Sequence, residues 1–159
     1  GNVENAKVIE LGAVVTDAVE RNQVLAEKRN IRLAADSGEG IQILGDYEML
    51  TTAVRNLIEN AIVYSEPGTQ VGIGVKLVDG VAEVAVTDSG LGIPESEQER
   101  IFERFYRVDP SRSRETGGTG LGLAIVKHVA ANHRGEVKLF SQPGVGSTFT
   151  IRIPAHKGD

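Results

Sequence analysis

The chain contains no cysteine and no tryptophan, only three histidines, and seven aromatic residues from its four Phe and three Tyr. Without cysteine there is no disulfide framework, thiolate zinc site or cysteine nucleophile. Three scattered histidines argue against an all-histidine metal centre. No apolar run approaches the ~20 residues of a membrane-spanning helix, and no signal peptide opens the chain. Positive charge is also scarce: 17 Lys and Arg against 22 Asp and Glu give −5. That balance argues against a protein whose main work is gripping a duplex phosphate backbone, so no nucleic-acid partner is expected. The 159 residues suffice for one domain.

What the chain has in abundance is glycine, 19 residues in all. Three clusters fall in its C-terminal two-thirds: Gly90 and Gly92 in DSGLGIP, Gly117, Gly118, Gly120 and Gly122 in TGGTGLGLAI, and Gly144 and Gly146 in PGVGSTF. Such density makes turns or lets a backbone approach a ligand. Residues of about 93–118 are polar, rich in Arg and Glu, and end in Gly-Gly. They read as a long loop with one short helical turn, and loops of that length are usually functional.

Apolar periodicity predicts a helix over 11–28, strands near 31–35 and 41–44, and a strong helix from an N-cap at Asp46 to Tyr64 along Leu50, Val54, Leu57, Ile58 and Ala61. Alternating runs at 71–78 and 81–86 flank Asp79-Gly80, a hairpin signal. A helix follows over 120–132, with Leu121, Ile125 and Val129 on one face, then a hairpin of 136–140 with 148–153 that Pro154 ends. The expected fold is α+β: a two-layer α/β sandwich with helices on one face of a mixed, largely antiparallel sheet. A dinucleotide fold would need strand, glycine turn and helix in immediate succession, and neither glycine cluster has that context.

Four constellations carry candidate chemistry. Asn56 and Asn60 are one helical turn apart and differ by about 40° in direction. Their amides suit a metal's hydration shell or phosphate oxygens, although an isolated Asn pair more often makes a cap or a helix–helix bond. Asp88 ends a strand; a carboxylate accepts only, which suits an exocyclic amine, although an Asx turn is the common alternative. GGTGLGLAI can present free helix N-terminal amides to an anion, but lacks the Lys-Ser/Thr of a P-loop. Arg104, Arg107, Arg112 and Arg114 against Asp109 give a local +3, suited to a polyphosphate, although most charge runs are simply solvated. Phe102 and Phe105 are placed to anchor this segment.

The order of these motifs resembles the catalytic ATP-binding (Bergerat-fold) domain of bacterial sensor histidine kinases, a branch of the fold shared with type II topoisomerases, Hsp90 chaperones and MutL proteins. NLIENA matches the asparagine box, DSGLGIP the first glycine box, FERFYR the phenylalanine box, GTGLGLAI the second glycine box and GVGSTF the final glycine motif. The match runs from about residue 8 to 154. NAIVYS, SRSRETGG and AIVKHVAANH look more narrowly like actinobacterial phosphate-responsive kinases.

The resemblance implies ATP and Mg²⁺ as cofactors, with Asn60 as metal ligand and Asn56 and Arg107 as catalytic residues. It implies nucleotide contacts from Asn56, Asn60, Tyr64, Asp88, Gly90, Gly92, Ile93, Tyr106, Arg107, Gly118, Thr119, Gly120, Leu121, Gly122, Ser147 and Thr148, under a lid of about 93–118. Ser147 stands where the family more often has Thr. Val63 replaces a commonly basic residue, so weaker or more lid-dependent ATP binding is expected. Asn56 replaces the Glu of ATP-hydrolysing relatives, which favours kinase over ATPase.

The phosphoacceptor would be a histidine on a dimerisation domain outside this chain, because His128, His133 and His156 lack the family's acidic-Arg-x-Pro context. The chain then reads as the cytoplasmic catalytic fragment of a membrane sensor. It would be monomeric alone, homodimeric in the parent, and would serve a cognate response regulator. Two rival readings are an anti-sigma-type serine kinase, which FERFYR and the full second glycine box oppose, and a non-catalytic nucleotide-sensing docking module, to which Val63 gives some support.

Overall fold

Asp46 accepts the backbone N–H of Met49 at 2.9 Å, so the longest helix starts where its cap predicts. The computed structural model describes residues 3, 4, 6–103 and 122–157. Its elements run β1 (Lys7–Glu10), α1 (Leu11–Glu20), α2 (Gln23–Lys28), β2 (Arg32–Ala35), β3 (Gln42–Gly45), α3 (Tyr47–Tyr64), β4 (Gln70–Val78) and β5 (Val81–Thr87). Two single 3-10 turns follow at Glu95–Glu97 and Arg100–Phe102, then α4 (Gly122–Asn132), β6 (Glu136–Gln142) and β7 (Gly146–Pro154).

The main sheet has the order β2-β4-β5-β7-β6. Only β2–β4 is parallel; the other neighbours are antiparallel. Asp79 and Gly80 both take positive φ (49° and 79°), which turns β4 back onto β5 with the twist that adjacent strands prefer. Strand alternation then sends Val71, Ile73, Val75, Ala82, Val84, Val86, Phe149, Ile151 and Ile153 into one core with the helices. From α3 that core takes Leu50, Val54, Leu57, Ile58 and Ala61, all at most 2% exposed. At roughly 1.5–3 kcal/mol for each large aliphatic side chain buried, this burial outweighs helix propensity in fixing α3. The family-level expectation of a two-layer sandwich with a largely antiparallel sheet therefore holds.

Three local readings change. The helix expected over 11–28 is two helices. Asn22, between them and buried, donates from Nδ2 to the carbonyls of Ala18 (3.0 Å) and Arg55 (3.2 Å). Its amide competes with the helical ladder and ties the break to α3. On α4 the buried face is Val126, Val129 and Ala130, whereas Ile125 is 38% exposed. This helix is apolar almost all round, so periodicity alone could not choose its face. Finally, β1 pairs antiparallel with β3 as a second, two-stranded sheet, with Val8 opposite Leu44. Four residues with a single buried side chain, Ile9, gave no usable alternation.

Candidate nucleotide-binding site

The register of β5 is enough to place the key carboxylate. Ala82, Val84 and Val86 face the helices, so Asp88, two residues beyond Val86, continues on that side. Asp88 is buried, and its Oδ1 accepts the backbone N–H of Gly90 at 3.0 Å and of Ser147 at 3.2 Å. Among the described residues Oδ2 accepts no hydrogen bond. Desolvation by burial raises the Asp88 pKa above the ordinary carboxylate value, and the two backbone N–H bonds oppose that rise only in part.

The turn after Asp88 is tied to the end of α3. Ser65 pairs with Gly90 as an antiparallel bridge, and a Cβ on Gly90 would run into the Tyr64 carbonyl oxygen. Among the described residues the buried Ser65 hydroxyl has no hydrogen-bond partner, a second unspent polar group beside Gly90. Gly92 has φ +75°, and a Cβ there would meet the Gln142 carbonyl. Glycine is therefore required twice, by close approach and by backbone conformation.

Asn56, Asn60 and Tyr64 follow one another at four-residue intervals along α3, beside its apolar stripe. Asn56 is 7% exposed, while Asn60 and Tyr64 are half-buried. The Asn56 Nδ2 donates a long bond (3.5 Å) to the carbonyl of Gly122 at the start of α4. A Cβ on Gly122 would lie only 3.7 Å from the Asn56 side chain.

The segment leaving Gly92 is anchored at several points. Ile93 donates its N–H to Ser141 Oγ at 2.7 Å, and Gln98 Nε2 donates to the Ile93 carbonyl at 3.0 Å. Ile101 is buried. Phe102 meets Phe149 edge to face, with ring centroids 6.0 Å apart, and Lys127 Nζ stands 5.9 Å from the Phe102 ring centre. The anchoring expected of Phe102 is thus present. Phe105, Tyr106, Arg107, Gly118, Thr119, Gly120 and Leu121, with most of the expected lid, lie outside the described residues.

The structure gathers Asp88, Gly90, Gly92, Ile93, Tyr64 and Ser147 at one end of α3, and Asn56 with Gly122 farther along it. Ser147 touches Asp88 through its backbone N–H; its hydroxyl pairs with Ser141 Oγ at 2.7 Å instead. Thr148 does not join them. The next residue along β7, it lies on the opposite sheet face, and its hydroxyl pairs with Thr87 Oγ1 at 2.9 Å. Ser141 is a site-supporting residue that sequence reasoning missed. The strand expected over 136–140 stops one residue short of it, whereas β6 runs to Gln142, and the turn that folds onto it leaves no local pattern.

The donor set can be tested against a magnesium nucleotide. No cluster of three or more His, Cys, Asp or Glu exists among the described residues. A cation here would depend on neutral amide oxygens together with ligand phosphates and water. Mg²⁺ accepts such a shell, and Asn60 carries a suitable hard donor.

Known proteins are similar to this chain in sequence and fold. Residues 45–157 match the family described as "Histidine kinase-, DNA gyrase B-, and HSP90-like ATPase". The sensor-like histidine kinase SenX3 of Mycolicibacterium smegmatis is 53% identical over 148 residues, 93% of this chain and 38% of that protein. The chain therefore spans well under half of that relative. The solved structure of the mycobacterial sensor histidine kinase MprB is 32% identical and has a TM-score of 0.77, covering 95% of this chain and 98% of that one. Full-length ShkA, solved with AMPPNP, is 27% identical with a TM-score of 0.84, over 99% of this chain and 33% of that one.

Proposed function

Because the chain belongs to the histidine kinase-, DNA gyrase B- and HSP90-like ATPase family, we propose that it binds Mg-ATP and donates the γ-phosphoryl group to a histidine on a separate helical dimerisation domain. In this reading the phosphoryl group then passes to a response-regulator aspartate, and the parent is a homodimeric two-component sensor in the membrane with this domain on its cytoplasmic side. None of the described helices is itself long and apolar enough to cross a membrane. The observation that carries the proposal is the buried Asp88 carboxylate, with Oδ1 saturated by Gly90 and Ser147 and Oδ2 left for an outside donor.

In this reading Oδ2 accepts the exocyclic amine of adenine, and Gly90 and Gly92 let the base lie against the backbone. Tyr64 borders the base, while Gly122 and the segment before it hold the phosphates at the start of α4. Asn60 would hold Mg²⁺ through its amide oxygen, and the ion would supply charge neutralisation for the transferring phosphoryl group. Asn56 borders the phosphates; its amide cannot take a proton from water, so hydrolysis has no general base at this position. Tyr106, Arg107, Gly118, Thr119, Gly120 and Leu121 are assigned to the lid and phosphate contacts. Val63, uncharged, leaves more of the phosphate charge to those lid cations.

Two measurements test the proposal. Calorimetry should show Mg²⁺-dependent ATP binding that Asp88→Ala removes; unchanged affinity in that variant would overturn the pocket assignment. Mixing the chain with a separate histidine-bearing helical domain and γ-labelled ATP should give an acid-labile label on that domain. An acid-stable label would point to serine kinase chemistry instead.

A further inference from the structure

Two helices form the phosphate side of the site, with Asn56 in the middle of α3 and Gly122 at the start of α4. The apolar contacts between them, from Val126, Val129 and Ala130, are non-directional and do not by themselves fix a register. A directional contact lies at the other end of the pair. His133 follows directly on α4 and is 4% exposed. Its Nδ1 is 2.8 Å from the Val129 carbonyl, and its Nε2 accepts the Asp46 backbone N–H at 3.0 Å, across 87 residues of sequence. A carbonyl only accepts and a backbone N–H only donates, so the proton sits on Nδ1 and Nε2 is bare. The two contacts together select a single tautomer.

The site end and this end form a frame. Asp46 caps the start of α3 and meets the end of α4; Asn56 meets the start of α4. Ten residues along α3 and eleven along α4 give nearly equal sides of about 15 and 16 Å. A slip of one turn would carry Gly122 about 5.4 Å along Asn56's helix and break the contact. Gly45 completes the seat, because a Cβ there would strike the His133 ring.

We propose that His133 is a positioning residue for the nucleotide site: pinned to the Asp46 N–H, it sets the register of α4 on α3 and so holds Gly122 against Asn56. The inference rests on the nucleotide-binding reading above, but its core claim concerns helix register and can be read without ligand.

The test compares the 159-residue chain with His133→Gln, His133→Leu and Gly45→Ala, each at a temperature where circular dichroism shows it folded. Glutamine can place an amide oxygen near the position of Nε2; leucine cannot accept. Long-range ¹H–¹⁵N NMR should find wild-type His133 protonated on Nδ1. His133→Leu and Gly45→Ala should shift the Gly122 amide and Asn56 side-chain signals and weaken Mg-ATP binding about three- to tenfold, the scale of one hydrogen bond. His133→Gln should stay within about twofold of wild type. Folded His133→Leu with unmoved Gly122 and Asn56 signals and wild-type affinity would overturn the proposal, as would His133→Gln as weak as His133→Leu. If His133→Leu fails to fold, Gly45→Ala decides by the same readouts. A wild-type chain that binds no Mg-ATP would sink the nucleotide reading, while the ligand-free Gly122 and Asn56 signals would still decide the register claim.

Discussion

Asp88 and Ser147 hold each other twice. The Asp88 N–H donates to the Ser147 carbonyl at 2.9 Å, and the Ser147 N–H donates to Asp88 Oδ1 at 3.2 Å. The first bond extends the β5–β7 ladder beyond Thr87↔Thr148; the second aims the carboxylate. Backbone pairing with Ser147, together with the Gly90 N–H on the same oxygen, therefore fixes the orientation of this buried side chain.

Replacing Asp88 with Asn should separate stability from binding. The amide oxygen can keep both N–H bonds while the desolvated charge disappears. We expect the apo melting temperature to rise by roughly 1–3 °C, and ATP affinity to collapse because an NH₂ then faces the adenine amine. Differential scanning calorimetry with a nucleotide titration checks both; a fall in both would mean that the carboxylate stabilises the fold.

The pH dependence should split in the same way. The folded-state pKa of Asp88 is raised, chiefly by desolvation. Its contribution to apo stability is therefore fully present below the unfolded value and lost as pH rises through the folded one. Accepting an amine needs the ionised form, so ATP affinity should fall as pH drops through the folded value. In Asp88→Asn the part of both trends due to this group should vanish, which melting curves and titrations across the acidic range would reveal.

Asn56→Glu should fold and hydrolyse ATP faster than wild type. It sets a carboxylate beside the start of α4, where Asn56 now meets Gly122, and a carboxylate can take a proton from water. A steady-state ATPase assay in which the rate only falls would refute the role assigned to this position.

Gly90→Ala should be among the most damaging single-methyl changes. Its Cβ would collide with the Tyr64 carbonyl, so either the Ser65–Gly90 bridge or the Asp88 turn must open. A loss of about 2 kcal/mol or more is expected in chemical denaturation, with weaker ATP binding. A neutral result would mean that the end of α3 moves freely away from this turn.

Ser141→Ala should loosen the segment that follows Gly92. The Ile93 N–H loses its acceptor and the Ser147 hydroxyl loses its partner. About 1 kcal/mol of stability should go, together with protection of the Ile93 amide in hydrogen exchange. Unchanged exchange there would show that Ile93 is held by packing alone.

The sequence by itself determined the features that depend on local chemistry or short-range pattern. The Asp46 cap, the apolar stripe of α3 and the Asp79-Gly80 turn follow from neighbouring residues, and the five motifs in order identified the family. Tertiary structure decided what depends on distant partners. Asn22 breaks the first helix because Arg55 offers it a carbonyl from another element. α4 buries Val126 instead of Ile125 because the helix is apolar on several sides and only its neighbours choose among them. Thr148 leaves the site because alternation in β7 turns it away once Ser147 faces inward. His133 meets Asp46 across 87 residues; no local pattern encodes a hydrogen bond that exists only after two helices have packed.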